Sequence, residues 1–182
     1  MQQPPNVKKE VSREHPLRRY LFRVTASSFE TVGLADRELI RYVTDVLVDF
    51  AHVDNIYRFQ DEPGKRRIGR LADMIGQLEE AGRRGVWPEP EIRKHIGDSC
   101  LFFTGIYPEH LERDARWVDF RPFVRLGVDS YRWVSDFEAV GPSAALFRKL
   151  SSAFEDCVGA LHIEREFLLD PFYQYLLRQM DW

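Results

Sequence analysis

The chain has 182 residues, which is enough for one domain with a full hydrophobic core. Apolar residues make up 44% and charged residues 30%, a composition that excludes disordered, collagen-like and disulfide-scaffold proteins. The formal net charge of -3 disfavours a nucleic-acid-binding protein, because such a protein needs a basic face over the whole domain.

Positive charge is concentrated near the start of the chain. Residues 1–23 hold six basic and two acidic side chains, so they carry a local charge of +4 and leave -7 for the remainder. A second basic cluster consists of Lys65, Arg66, Arg67 and Arg70. Charge runs of this size are typical of a solvated surface. Nucleic-acid binding through residues 8–23 and 65–70 is therefore the least favoured interpretation of the sequence.

The sequence predicts a cytosolic protein with reduced thiols. Its longest uninterrupted apolar runs have four residues, as over 100–103, whereas a bilayer-spanning helix needs about 20. The first residues show no apolar stretch after their basic side chains, so no secretory signal is expected. Cys100 and Cys157 lie among apolar neighbours, which is typical of buried free thiols.

The apolar spacing predicts an all-α fold. From Leu17 onward, apolar residues recur every three or four positions, and no segment sustains the period-two alternation of a half-buried strand. We expect a flexible basic arm over 1–16 and a single helical domain over 17–182, built as a bundle of six or seven helices without a sheet.

Turn and capping signals divide the first half of the chain. They predict a first helix over 17–31 that is closed by Gly33, and a second over 36–57 that has Asp36 as its N-cap. A third helix is predicted over 68–78.

The second half is divided in the same way. The predicted elements are a fourth helix over 92–106, a short helix over 108–115, a fifth helix capped by Asp119, one helix with heptad spacing over 142–161, and a last helix over 171–180.

The fourth predicted helix carries the most chemically suggestive group. Glu91, His95 and Asp98 lie at i, i+4 and i+7, and Phe102 continues the same face. Two carboxylates and an imidazole so aligned could hold a divalent metal, or could tune His95 as a proton carrier. One helix supplies too few ligands, so a second interpretation stays open. In that interpretation His95 belongs to the core, and Asp98 bonds to a neighbouring element to fix the bundle.

Common catalytic motifs are absent from the sequence. It contains no GxGxxG, P-loop, GxSxG, HExxH or EF-hand pattern, and none of its five histidines follows a glutamate by three positions, as di-iron bundles require. We therefore predict no cofactor, no metal and no catalytic residue, and we leave enzymatic activity open.

The segment GDSCLFFTGIYPEHL, over 97–111, is unusual because two glycines lie eight residues apart among bulky side chains. Glycine weakens a helix, so Gly97 and Gly105 indicate close approach by another backbone or a ligand. Together with VRLGVDSYRWVS and FRKLSSAFEDCV, this segment resembles an uncharacterised all-helical family of bacterial proteins over about 35–165. The resemblance implies a helical fold and a bacterial source, and it singles out the motif positions Gly97, Asp98, Leu101, Phe102, Gly105, Pro108 and Glu109.

These observations favour a cytosolic interaction or assembly protein that forms a homodimer and can bind a protein partner. The alternative is a helical bundle that binds a small ligand or a metal, and could be an enzyme, with its site around Glu91, His95 and Asp98.

Overall fold

The protein is all-helical, as predicted. The computed structural model describes residues 11–12, 14–56, 71–85, 87–108, 119–168 and 171–178. Of these residues, 82% are helical and none lies in a strand.

The described residues form nine helical segments, seven of which are longer than ten residues. They are α1 Pro16–Thr31, α2 Arg37–Phe50, α3 Val53–Ile56, α4 Leu71–Arg83, α5 Glu89–Gly105, α6 Arg121–Glu138, α7 Pro142–Ser152, α8 Phe154–Leu168 and α9 Pro171–Arg178.

Local capping explains where α1 and α2 begin and end. His15 Nδ1 accepts a hydrogen bond from the Leu17 amide at 3.1 Å, and α1 ends before Gly33, whose φ of +80° suits glycine. Asp36 caps α2 by accepting from the amides of Glu38 and Leu39, which confirms its predicted role.

The second predicted helix is too long. It was expected to continue through residue 57, but α2 ends at Phe50 and the separate segment α3 follows. The side-chain amide of Asn55 donates to the Asp49 carbonyl oxygen at 2.9 Å. Asn55 thereby takes an acceptor that a continuing helix would use for its own backbone, and this competition breaks the helix.

The predicted heptad helix over 142–161 is likewise two helices, α7 and α8, separated at Ala153. The Ser152 hydroxyl donates to the Arg148 carbonyl oxygen at 2.9 Å, and the Ser151 hydroxyl donates across to the Val128 carbonyl oxygen at 3.1 Å. The Ser152 bond competes for a backbone acceptor of α7, and the Ser151 bond ties the end of α7 to α6.

A smaller correction concerns the start of α6. Phe120 holds the N-cap position that was expected for Asp119, and α6 begins at Arg121. The Asp119 carboxylate still accepts from the Arg121 amide at 3.1 Å, so it satisfies an end-of-helix donor from one residue further out.

Several predictions fall outside the described residues. They concern residues 1–10 of the N-terminal arm, the basic cluster over 65–70, the short helix over 108–115, the motif residue Glu109 and residues 179–182.

Helix α5 occupies the centre of the bundle. Every residue from His95 to Ile106 is buried, so this part of the helix is covered on all sides. It packs mainly against α6, α8 and α4, while α1 packs against α2 and α8. The buried apolar side chains of these helices form one connected core.

Glycines allow the close packing around α5. A Cβ atom added at Gly105 would lie 2.6 Å from Leu161 Cβ on α8, and one at Gly97 would lie 2.6 Å from Tyr131 Cε1 on α6. Real Cβ atoms essentially never approach this closely. The expectation that another helix crosses closely at both glycines is confirmed.

Within the described ranges, no helix is both long enough and apolar enough to cross a bilayer.

The close contact between α5 and α8 at Gly105 predicts a loss of stability for Gly105→Leu. The new side chain overlaps Leu161, so we expect the free energy of unfolding to fall by about 1–3 kcal/mol through overpacking. Denaturant unfolding measures the change. Gly159→Leu on α8 is the matched control, because nothing lies within 4 Å of a Cβ at that position. An equal effect of both substitutions would contradict the close crossing.

Candidate functional site

The structure separates the residues that the sequence placed in one candidate site. Glu91 is exposed on the outer face of α5, whereas His95, Asp98 and Phe102 are buried. Neither of the two surface grooves described below is lined by any of these four residues. The four residues predicted to share one helix face therefore lie in two environments, with Glu91 in solvent and the other three in the core.

His95 is held by the core at the far end of α2. Its Nε2 lies 2.8 Å from the Ile56 carbonyl oxygen. A carbonyl oxygen can only accept, so Nε2 carries the proton in this contact. The Phe50 ring meets the imidazole edge-on, with 5.5 Å between the ring centres. This environment matches the interpretation of His95 as a core residue.

Asp98 is the centre of a buried polar network that joins three helices. Its Oδ1 accepts from the Tyr42 hydroxyl of α2 at 2.6 Å and from the Tyr131 hydroxyl of α6 at 2.8 Å. Its Oδ2 accepts from Lys94 Nζ at 2.7 Å, one turn earlier on α5. Both carboxylate oxygens are thus bonded, as a buried charge requires.

This network keeps Asp98 ionised. Burial raises the pKa of its carboxyl, but the Lys94 charge and the three hydrogen bonds outweigh burial, so the pKa lies below its ordinary value. The pKa values of both tyrosines are well above the ordinary one, because of burial and then the nearby Asp98 charge. Tyr42 and Tyr131 therefore remain hydrogen-bond donors.

The hydrogen bonds of the Asp98 network have a structural role, because they join neighbouring helices. Asp98 bonds to neighbouring elements, as the second interpretation of the sequence anticipated, although its partners are tyrosines and a lysine. In the part of the chain that the structure describes, no group of three or more His, Cys, Asp or Glu side chains is arranged to hold a metal ion.

The network predicts a cost for Tyr131→Phe. The substitution removes one hydrogen bond to a buried carboxylate and keeps the ring, so we expect a loss of about 1–2 kcal/mol in the free energy of unfolding. Chemical denaturation measures it, with Tyr175→Phe on the exposed side of α9 as the control. Equal stability of Tyr131→Phe and the parent protein would exclude a bonding role for this hydroxyl.

Glu164 on α8 is a second buried carboxyl group, and its pKa is shifted in the opposite direction to that of Asp98. Its Oε1 accepts from the Thr25 hydroxyl of α1 at 2.9 Å, and its buried Oε2 has no hydrogen-bond partner among the described residues. Burial raises the pKa of Glu164 to about 8, and the Thr25 bond opposes only part of this shift. Glu164 is therefore neutral at pH 7, which lowers the cost of burying it.

The raised pKa of Glu164 predicts a pH-dependent stability. The unfolded chain ionises this carboxyl near 4.5 and the folded chain near 8. Between these values the folded state binds more protons, so the free energy of unfolding decreases as pH rises, by at most about 1.4 kcal/mol per pH unit.

Glu164→Gln removes this ionisation, so the variant should lose less stability than the parent between pH 5 and pH 8. Denaturant unfolding across this pH range measures the difference. Glu166→Gln, an exposed position on the same helix, is the control. Parallel stability curves for the parent and Glu164→Gln would show that Glu164 ionises normally.

An open polar groove lies between α1 and α2. We call it the arginine groove. It has a volume of about 590 Å³ and is lined by Arg18, Arg19, Phe22, Arg23, Arg41, Thr44 and Asp45.

The arginine groove carries an excess of positive charge. Arg18 forms an ion pair with Asp45, while Arg19, Arg23 and Arg41 form no ion pair with a described residue. All three of these arginines are exposed. Among the described lining residues, four guanidinium groups thus face one carboxylate, an excess of three positive charges.

The position of the arginines along α1 adds to this field. Arg18 and Arg19 lie at the start of α1, where no acidic residue is present in the first turn. A helix N-terminus carries a partial positive charge that favours anions and disfavours cations. Two arginines at this end destabilise the helix when no ligand is bound, and they strengthen the attraction for a bound anion.

A smaller groove lies between α4 and α5, with a volume of about 310 Å³. Its charged lining is mixed, because Glu79 and Glu89 oppose Arg83 and Arg93. Glu89 and Arg93 also approach each other at 3.4 Å, so this groove has no excess of one charge among these residues.

Comparison of the chain with known protein families, with curated proteins and with solved structures finds no match. The resemblance to a bacterial helical family stays a prediction, and the candidate site rests on geometry.

The sequence analysis noted the positive charge near the start of the chain but did not predict the arginine groove. It counted Arg18, Arg19 and Arg23 among the basic residues of segment 1–23 and did not connect them with Arg41. The missing information was that α1 packs beside α2. A signal was present in the basic first turns of α1, which oppose the usual preference for acidic residues there.

Proposed function

We propose that this chain is an interaction protein whose binding site is the arginine groove, and whose partner presents an acidic polypeptide segment. The observation that carries the proposal is that Arg19, Arg23 and Arg41 line one open groove and form no ion pair with any residue that the structure describes. Guanidinium groups donate paired hydrogen bonds to carboxylates, so an acidic segment is the complementary ligand.

The shape and composition of the groove favour a short segment. Its volume of about 590 Å³ lies within the range of sites that hold a small ligand or a few side chains. Phe22 stands among the arginines, so the groove offers an apolar surface as well as charge. This mixture suits a segment in which acidic residues alternate with apolar ones.

An acidic polypeptide fits better than a nucleic acid. The chain has a net charge of -3, and residues outside the first 23 carry -7, so much of the surface repels a long phosphate backbone. A localised basic groove on an acidic protein instead selects a partner whose charge is confined to one short stretch.

Three parts of the sequence-based interpretation remain predictions. A cytosolic location is supported by the two cysteines, which are both buried free thiols. The homodimer and the bacterial source stay as predicted from the sequence. The alternative of a ligand or metal site around Glu91, His95 and Asp98 is less favoured, because two of these residues are buried and bonded inside the bundle.

The proposal predicts that Arg41→Gln weakens binding of labelled poly-L-glutamate. The loss of one guanidinium from the groove should raise Kd by about three- to tenfold. Fluorescence anisotropy measures Kd, and added salt should weaken the parent complex, because exposed charges are screened.

Arg125→Gln on α6 is the matched control, since it removes an exposed arginine outside the groove. The same rise in Kd for both variants would show that only net charge matters. Tighter binding of a labelled single-stranded oligonucleotide than of poly-L-glutamate would overturn the choice of an acidic polypeptide.

A further inference from the structure

The ion pair inside the arginine groove places a carboxylate of the protein where the partner's carboxylates are expected to bind. Arg18 Nη1 donates to Asp45 Oδ1, across the gap between α1 and α2. Asp45 therefore already makes the kind of contact that the groove offers to an acidic segment.

We infer that Asp45 is an internal competitor that occupies Arg18 in the free protein and lowers the affinity of the groove for carboxylates. This inference rests on the proposed function of the groove. It assigns Asp45 the role of setting how much negative charge a partner must supply before it binds.

Two observations indicate that the competitor can be displaced. The Asp45 side chain is 48% exposed and the Arg18 side chain 22%, so the pair is partly in water, where ion pairs are weaker than in a closed core. The Arg18 guanidinium has a second anchor, because its Nη2 donates to the Val11 carbonyl oxygen at 3.4 Å. Arg18 thus keeps a contact at the groove when Asp45 leaves, and its Nη1 becomes available to a ligand.

The neighbouring charges determine which ligand can displace Asp45. A single carboxylate gains little by exchanging with Asp45 at Arg18, since one ion pair replaces another of the same type. A segment with several carboxylates also reaches Arg19, Arg23 and Arg41, which have no ion pair among the described residues. Asp45 consequently favours multiply charged segments over isolated carboxylates.

The opposite role for Asp45 is that of a positioning residue, which holds Arg18 in the geometry that a ligand needs. The two roles predict opposite effects of Asp45→Asn. Removing a competitor tightens binding, whereas removing a positioning group weakens it. The substitution keeps the size of the side chain and removes only its charge.

The test measures Kd for labelled poly-L-glutamate by fluorescence anisotropy, with the full chain and its variants. For Asp45→Asn we expect Kd to fall by about three- to tenfold. Asp129→Asn is the matched control, because Asp129 is an exposed carboxylate in an ion pair with Arg132 on α6, outside the groove. It changes the net charge equally and should leave Kd within about twofold.

The double variant Asp45→Asn with Arg18→Gln tests whether the increase in affinity caused by Asp45→Asn depends on Arg18. Because the released guanidinium is absent, its Kd should return to within about twofold of the parent value. A double variant that binds as tightly as Asp45→Asn alone would overturn competition for Arg18. Thermal unfolding monitored by circular dichroism verifies that each variant is folded.

The two proposals fail in different ways. If poly-L-glutamate does not bind the parent, or if its binding is insensitive to Arg41→Gln, the proposed function of the groove is wrong, and the inference falls with it. If binding depends on Arg41 while Asp45→Asn leaves Kd unchanged or raises it, only the inference about Asp45 is wrong.

Discussion

A carboxylate can be buried only when protein groups replace the water it loses, and the arrangement of the bundle around α5 follows from this constraint at Asp98. Its partners come from three helices, so a shift of α2 or α6 against α5 would remove one donor from a buried charge. Glu164 meets the same constraint by remaining neutral beside Thr25. Asp98 is thus an ionised acid and Glu164 a protonated one, each matched to its surroundings.

The same constraint connects the core to the surface groove. Tyr42 donates to Asp98 from the inner side of α2, and the adjacent residue Arg41 lines the arginine groove. Asp45, one turn after Arg41, faces the groove as well. The rotation of α2 that places its apolar side chains in the core and Tyr42 beside Asp98 also presents both charged side chains to α1.

Periodicity and capping residues were sufficient to predict the helical fold, the N-cap at Asp36 and the close crossing at Gly105, because each depends on local spacing or on a missing side chain. The break after Phe50 and the one at Ala153 each coincide with a side-chain bond to a backbone carbonyl of the preceding helix, which spacing does not reveal. The face containing Asp98 was recognised, but its partners lie on other helices, so contacts between helices had to be known before the face could be assigned to the core.

The glycine contacts around α5 have a consequence for how the sequence can diverge. Gly105 leaves the space that Leu161 fills, and Gly97 does the same for the Tyr131 ring. The volume at each crossing is shared between two positions far apart in the chain, so a larger residue at one is compatible with the fold only when the other becomes smaller. Each pair therefore evolves as one unit, and compensating exchanges at these paired positions are the expected mark of this bundle among descendants of the same ancestor.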